Sequence, residues 1–443
     1  SLGFQLENAP SPDLSLSSGT QLYRRDAEQD RFTSGQYVED TGKFSGVREP
    51  THREESYTGL VHQTDLTRRL EALGASHKLR VGVEATLADS LDENRGIRTE
   101  DRDEYLPLDV QLFDPEKPNY YRPAYSEDVY RRVITDREVR LGYTALAADT
   151  RSAFNHGRTV FTSGLRYDLS RIEVEDRRTS TTTPHSEKTS GTPTFHLGAN
   201  QRAGKRVLLF ANTSSAVEPS TRVDSRTGEI QENEATHGYE FGARTVLFER
   251  KLSLSAIAYR YINTDIARRN PLYNDPVADA GQTQPQLVSS GEEEFRGYSV
   301  QSGWKPVPTW TFTARAAWLE AITVSSPDIP EEEGLPLTNV PEFTAGAGVR
   351  RSFLDGRLRG LSLNGSVTHV GEVVQNYARA DRIRIDYPAY TVVGAGAGFT
   401  LPRGKIVHTF SANISNLLDE NLLAKIDRLN AERSLSVGWR VAF

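Results

Sequence analysis

Along much of the chain, apolar residues alternate with small or polar ones in segments of about ten residues, as strands with one greasy and one wet face require. The last ten residues carry the pattern most plainly. Leu435, Val437, Trp439, Val441 and Phe443 point one way, while Ser434, Ser436, Gly438, Arg440 and Ala442 point the other. Residues 310–319 repeat it, with Trp310, Phe312, Ala314, Ala316 and Trp318 opposed by Thr311, Thr313 and Arg315. In residues 79–87 the apolar set is Leu79, Val81, Val83, Ala85 and Leu87, which leaves Arg80 and Glu84 together on the other face. Weaker copies occupy residues 139–147, 161–169, 239–247, 343–349, 361–367 and 408–414, whereas residues 57–66 do not alternate cleanly. Strands of soluble sandwiches usually run about five or six residues. The longer runs here predict an all-β fold, a transmembrane antiparallel β-barrel whose apolar face meets lipid.

The links between these segments alternate in length, as they do in barrels with short turns at one end and long loops at the other. Long links are centred in residues 26–54, 89–135, 177–192, 214–236, 267–293, 323–340, 372–387 and 418–433. Short ones lie at 71–76, 149–157, 202–205, 249–251, 305–308, 354–356 and 402–405, and they carry turn chemistry such as Asp355-Gly356 and Pro402-Arg403-Gly404. Counted from about Leu14, this rhythm gives about sixteen strands. Residues 3–7 read as the tail of a preceding strand, with a turn over 8–13. Residues 421–432 carry Leu422, Leu423, Ile426 and Leu429 at helix-like spacing and predict a short surface helix.

Composition narrows the picture. The chain has 443 residues and a mean hydropathy of -0.55, with no apolar run near the length of a membrane helix, so only a barrel could span lipid. Cysteine is absent, which excludes disulfides, thiolate metal sites and cysteine nucleophiles. The 53 basic and 60 acidic residues are mixed along the chain, which argues against nucleic acid as a partner. Residues 1–6 show no basic segment followed by an apolar stretch, and methionine is absent, so the chain reads as excised from a longer precursor. None of the nine histidines pairs with a second ligand at helical or hairpin spacing, so neither a metal nor a cofactor is expected. An enzyme would need a nucleophile beside a histidine, and the parity of His369 puts it on the lipid side. The chain is therefore expected not to be an enzyme.

In the carboxy-terminal third the wording resembles a particular family. Residues 413–420, Asn-Ile-Ser-Asn-Leu-Leu-Asp-Glu, are similar to the penultimate-strand motif of the TonB-dependent outer-membrane receptors, siderophore-receptor type, with Leu418 where phenylalanine is usual. Residues 337–343 and 387–393 look like that family's entries into late strands, and Ala216-Val217-Glu218-Pro219-Ser220 followed by Gly238-Tyr239-Glu240-Phe241-Gly242 looks like the approach to its central hairpin. Trp439, Val441 and Phe443 fit the terminal assembly signal that barrels of several kinds share. The resemblance implies a bacterial outer-membrane protein of 22 strands with a plugged lumen, energised by the TonB complex and importing a ferric siderophore or similar scarce nutrient. Its partners would be that ligand, TonB, the barrel assembly machinery and outer-membrane lipid. On this reading residues 1–443 are a partial barrel, and the amino-terminal plug, the TonB-binding segment and the first strands are absent. The alternative is a passive porin or channel.

Candidate sites follow from loops and parity. The longest link contains Tyr120, Tyr121, Arg122 and Tyr125, with Tyr130 nearby, a set of aromatic faces, hydroxyls and a cation that suits a binding surface. Inward positions Arg80, Glu84, Arg166, Glu240, Arg244, Arg315, Arg350 and Arg440 are expected to face water, one another or the plug. Glycines 346, 348, 394, 396 and 398 are expected to leave room for it.

Overall fold

The computed structural model describes all residues except 33–35, 39–42, 46–48, 112–118, 180, 378–383 and 421–432. Its first strands are β1 (Leu2–Ser11) and β2 (Leu14–Phe32), followed by a small hairpin of β3 (Gln36–Val38) and β4 (Lys43–Ser45). The main sheet resumes with β5 (Pro50–Ala72), β6 (Ala75–Gly96), β7 (Arg132–Phe154), β8 (Thr159–Asp176), β9 (His185–Ala203) and β10 (Val207–Glu218). It continues through β11 (Glu234–Leu247), β12 (Leu252–Arg269), β13 (Leu287–Trp304), β14 (Trp310–Ser325), β15 (Phe343–Ser352) and β16 (Leu361–Val370). A second small hairpin, β17 (Val373–Tyr377) and β18 (Arg384–Tyr387), precedes β19 (Tyr390–Arg403), β20 (Ile406–Ser415) and β21 (Ser434–Ala442). Two short helices, α1 (Arg102–Tyr105) and α2 (Leu108–Gln111), lie in the loop between β6 and β7.

Apart from the two small hairpins, the strands form one sheet of seventeen in which each described pairing joins neighbours antiparallel. Among the described residues β2 pairs with β1 and β5, while β21 pairs only with β20, so the two outermost strands do not meet. The sequence reading is corrected in three places. Residues 3–7 belong to a full strand, β1, and the turn after it is confined to Pro12 and Asp13. The first five long links are shorter than expected because the strands beside them are long; β5 and β7 each run 23 residues, about 75 Å of extended chain, more than twice what crossing lipid needs. Asp149, assigned to a turn, lies within β7. The helix expected at 421–432 lies outside the described residues.

The register turns the alternation into two faces. Leu79, Val81, Val83, Leu87, Leu165, Phe241, Val300, Leu435, Val437 and Trp439 are all exposed, with Val437 at 77% and Leu165 at 70%. A soluble protein rarely exposes so continuous an apolar surface, and lipid is the solvent that suits it. Aromatic rings on this face associate in several groups, two of them on β13 to β15. Trp304 and Trp310 flank Phe312 beside a short turn, at 5.3 and 5.6 Å between centroids. Tyr298, Trp318 and Phe343 pack at 4.9 Å farther along the strands, as interfacial girdles do. Between these groups the opposite face carries the charges, while beyond Trp318 the outward face is charged as well, with Arg296 bonded to Glu320 at 2.6 Å. Charge on one face and hydrocarbon on the other leave no central core, and the buried apolar clusters lie instead under the long loops.

Candidate ligand mouth and lumen

The inward face of β5 to β8 holds two groups of ion pairs. Arg80 on β6 donates from Nε to Asp65 on β5 at 2.9 Å and from Nη1 to Asp149 on β7 at 3.0 Å. Two strands along, Arg166 on β8 donates to Glu84 at 3.1 Å, to Asp168 at 2.7 Å and to the Tyr143 hydroxyl at 2.6 Å. That hydroxyl in turn donates to Asp168. The register explains the grouping, since Arg80 lies opposite Asp149, and Arg166 and Asp168 lie opposite Ala147 and Ala145, whose short side chains leave room between them. Farther round, Glu240 accepts from Asn212 at 3.1 Å and from the Tyr261 hydroxyl. Tyr261 can lie across its neighbour because that neighbour is Gly238, where a Cβ would fall 2.5 Å from the ring. Arg244 sits over the Phe210 ring at 5.0 Å, and Arg315, Arg350 and Arg440 have no ion pair among the described residues. Sequence parity found the cations. It missed Asp65, Asp149, Tyr143 and Asp168, which become partners only through the register.

At the long-loop end, residues 219–233 fold over the inner wall. Val223 and Ile230, joined by a β-bridge, pack on Val139, Leu141, Ile172 and Val174, all on the inward face. Two buried carboxylates pin this loop to its neighbours. Asp224 accepts from the backbone N–H of Arg226, Thr227 and Leu287, each at 2.8 Å. Asp279 accepts from the Arg226 guanidinium at 2.5 Å and from the N–H of Asn274 and Gln284 at 2.8 and 2.9 Å. Burial alone would push both carboxyls up, but these donors outweigh it, and Asp279 is held at about 2. A carboxyl depressed in the folded state adds stability above its ordinary value of 3.8, and loses it as pH falls through about 2. Amide exchange in residues 270–286, corrected for the intrinsic rate, should therefore be flat from neutral pH to about 4 and rise between about 4 and 2. Asp279→Asn should raise exchange already at neutral pH and flatten that rise.

Beside this lid, a cavity of about 380 Å³ lies among Arg268, Arg269, Glu293, Thr323, Ile329, Glu332 and residues 335–338. Arg268 spans it, bonding Glu293 at 3.2 Å and Glu332 at 3.0 Å.

The tyrosine-rich loop is divided by the structure. Tyr120 and Tyr121 are 64% and 50% exposed. Arg122 pairs with Asp30, and Tyr125 stacks on the His52 ring at 3.6 Å between centroids. Tyr130 is buried with Ile97, Leu106 and Val110, and its hydroxyl donates to the Pro123 carbonyl at 3.2 Å, so it holds the loop's base and is not part of an exposed surface. The loop lies against the sheet face that carries His52 and Asp30, opposite to the face of Arg53 and Asp92. His52 is buried between Asp30, 2.9 Å from Nδ1, and Glu54, 3.2 Å from Nε2, with Glu28 at 3.9 Å. Glu28, Asp30 and His52 are the group of described residues whose donor atoms converge enough to hold a cation. Sequence spacing did not reveal it, because the link from β2 to β5 separates the partners.

At the short-turn end the inner wall is basic. A cavity of about 860 Å³ is lined by Arg202, Lys205, Arg206, Arg244 and Arg250 with a single carboxylate, Glu249.

A family model described as "TonB dependent receptor-like, beta-barrel" matches residues 1–417. Among solved structures, BauA, the ferric preacinetobactin receptor from Acinetobacter baumannii, superposes with a TM-score of 0.77 at 18% identity, over 98% of this chain and 61% of that one. The ferric-catecholate import receptor Fiu from E. coli K12 gives 0.74 at 15%, over 99% and 62%. The siderophore receptor PiuA from A. baumannii gives 0.76 at 14%, over 94% and 60%. The chain thus spans about three fifths of the length of these structures. No curated protein sequence matches it.

Proposed function

From a chain that belongs to the TonB-dependent receptor β-barrel family, we propose that it forms most of the barrel of a bacterial outer-membrane receptor that imports a ferric siderophore with energy supplied through TonB. The observation that carries this reading is the pairing of an apolar outer face with a charged inner face that is roofed by interlocked loops. A passive pore needs no such roof, whereas a receptor needs an ordered outer surface to select its cargo and a gated lumen to admit it. The siderophore receptors among its structural neighbours support the choice of cargo. Transporters of this class have about 22 strands and a plugged lumen, against seventeen in the sheet here. The free edges of β1 and β21 would each leave unpaired backbone groups in lipid, at several kcal/mol per group. Further strands and a plug of the full-length receptor would close and fill the barrel.

Within this reading, Tyr120 and Tyr121 are the exposed aromatic contacts for the chelate, while Arg122, Tyr125 and Tyr130 hold their loop in place. The test is binding of a panel of ferric siderophores to the full-length receptor. Tyr120→Ala with Tyr121→Ala should weaken binding of the recognised chelate about tenfold at unchanged assembly. Unchanged affinity would remove this loop from the site, and no binding of any iron chelate would overturn the cargo.

A further inference from the structure

On the outer wall, at the long-loop end, one imidazole is ringed by carboxylates. His52 on β5 lies on the outward face, about 27 Å along the strand from Leu60 and so beyond the lipid-facing band. Its side chain is 2% exposed. Asp30, directly opposite on β2, lies 2.9 Å from Nδ1, while Glu54 and Glu28 lie 3.2 and 3.9 Å from Nε2. Glu28, Asp30 and His52 hold donor atoms within 4.8 Å of one another. Carboxylates accept and a neutral imidazole has one N–H, so with Nδ1 donating to Asp30, its closest contact, the buried Nε2 lone pair faces two glutamates. The neighbouring cations are engaged elsewhere. Arg122 pairs with Asp30, and Arg95, opposite His52 on β6, bonds Glu93 at 2.5 Å. Among the described residues neither Glu28 nor Glu54 pairs with an arginine or a lysine.

We propose that Nε2 of His52, together with Glu28 and Glu54, binds one divalent ion of the zinc class. A cation between these groups removes the clash of a lone pair with two carboxylates, and the charge of the two glutamates matches that of the ion. An imidazole in the donor set favours zinc over calcium and magnesium, which take oxygen ligands. Asp30 fixes the tautomer and the ring orientation from Nδ1, as the partners of metal-bound histidines do. Glu28 and Glu54 are 71% and 60% exposed, so both can close on an ion that arrives from solvent. Tyr125 stacks on the ring and Arg122 holds Asp30, so an ion that fixes His52 also fixes the seat of residues 119–125. The site is independent of what the receptor carries.

The test uses the untagged full-length receptor in detergent, stripped with a chelator and titrated with zinc chloride. His52→Ala, and separately Glu28→Gln with Glu54→Gln, should each weaken zinc binding by about tenfold or more, and an excess of calcium should not displace the ion. Heat-modifiable electrophoretic mobility reports whether each variant assembles. The glutamate pair is exposed, so it keeps the test decisive if His52→Ala fails to fold. Zinc should also slow amide exchange in residues 119–130 of the wild type and leave it unchanged in the variants. Zinc binding that is absent, or equal in the wild type and an assembled variant, would overturn the proposal, as would displacement by calcium. Siderophore binding by the same preparation is scored separately, so none of these results touches the receptor reading.

Discussion

An arginine placed at position 367 is expected to cost the barrel about 2–4 kcal/mol in lipid, while one placed at position 366 is tolerated. The two positions are neighbours on β16 with opposite outlooks. Val367 pairs with Ala347 and Val393 on the apolar face, where a guanidinium would have to leave water. Ser366 pairs with Gly348 and Gly394, whose missing side chains leave inward space for a long cation. The measurement is urea-dependent folding of the full-length receptor into lipid vesicles, with Val367→Arg and Ser366→Arg compared against wild type. Equal losses, or a greater loss for Ser366→Arg, would invert the assignment of faces.

The second large effect is expected inside the lumen. Arg166→Met leaves Glu84 and Asp168 without their shared cation and Tyr143 without a donor, and should cost about 1–3 kcal/mol, less than a fully buried pair because these groups are about a third exposed or less. If the loss reflects uncompensated charge, adding Glu84→Gln and Asp168→Asn to Arg166→Met should restore much of it. A triple variant no better than Arg166→Met would mean that the arginine acts through packing instead.

These two tests also mark what the sequence made legible. Strict alternation identified the lipid face wherever every second residue was apolar, as in β14 and β21, and it placed Arg80, Arg166 and Arg244 on the inner face. It failed on β5, where His62 and Thr64 sit between Leu60 and Leu66 on the outward face and Val61 lies inward, so that Asp65 went unrecognised. Partner choice was beyond reach for a physical reason. Which carboxylate meets which guanidinium is set by strand register, and register depends on turn geometry and on pairs far apart in sequence. The loop staples Asp224 and Asp279 were missed for the same reason, because the partner that ties each across, Leu287 for the first and Arg226 for the second, lies outside its own loop. The tyrosine cluster was visible as composition. Only packing separated exposed Tyr120 and Tyr121 from buried Tyr130.

Energised import of a ferric chelate is open to test by uptake in whole cells. Cells carrying the intact gene, and cells lacking it, are given radiolabelled iron bound to each siderophore of a panel under iron limitation, with and without a protonophore. Uptake of at least one ferric siderophore should require the gene and stop when the proton gradient is dissipated. Gene-dependent uptake that continues at the same rate without the gradient would contradict energised import and identify a passive channel.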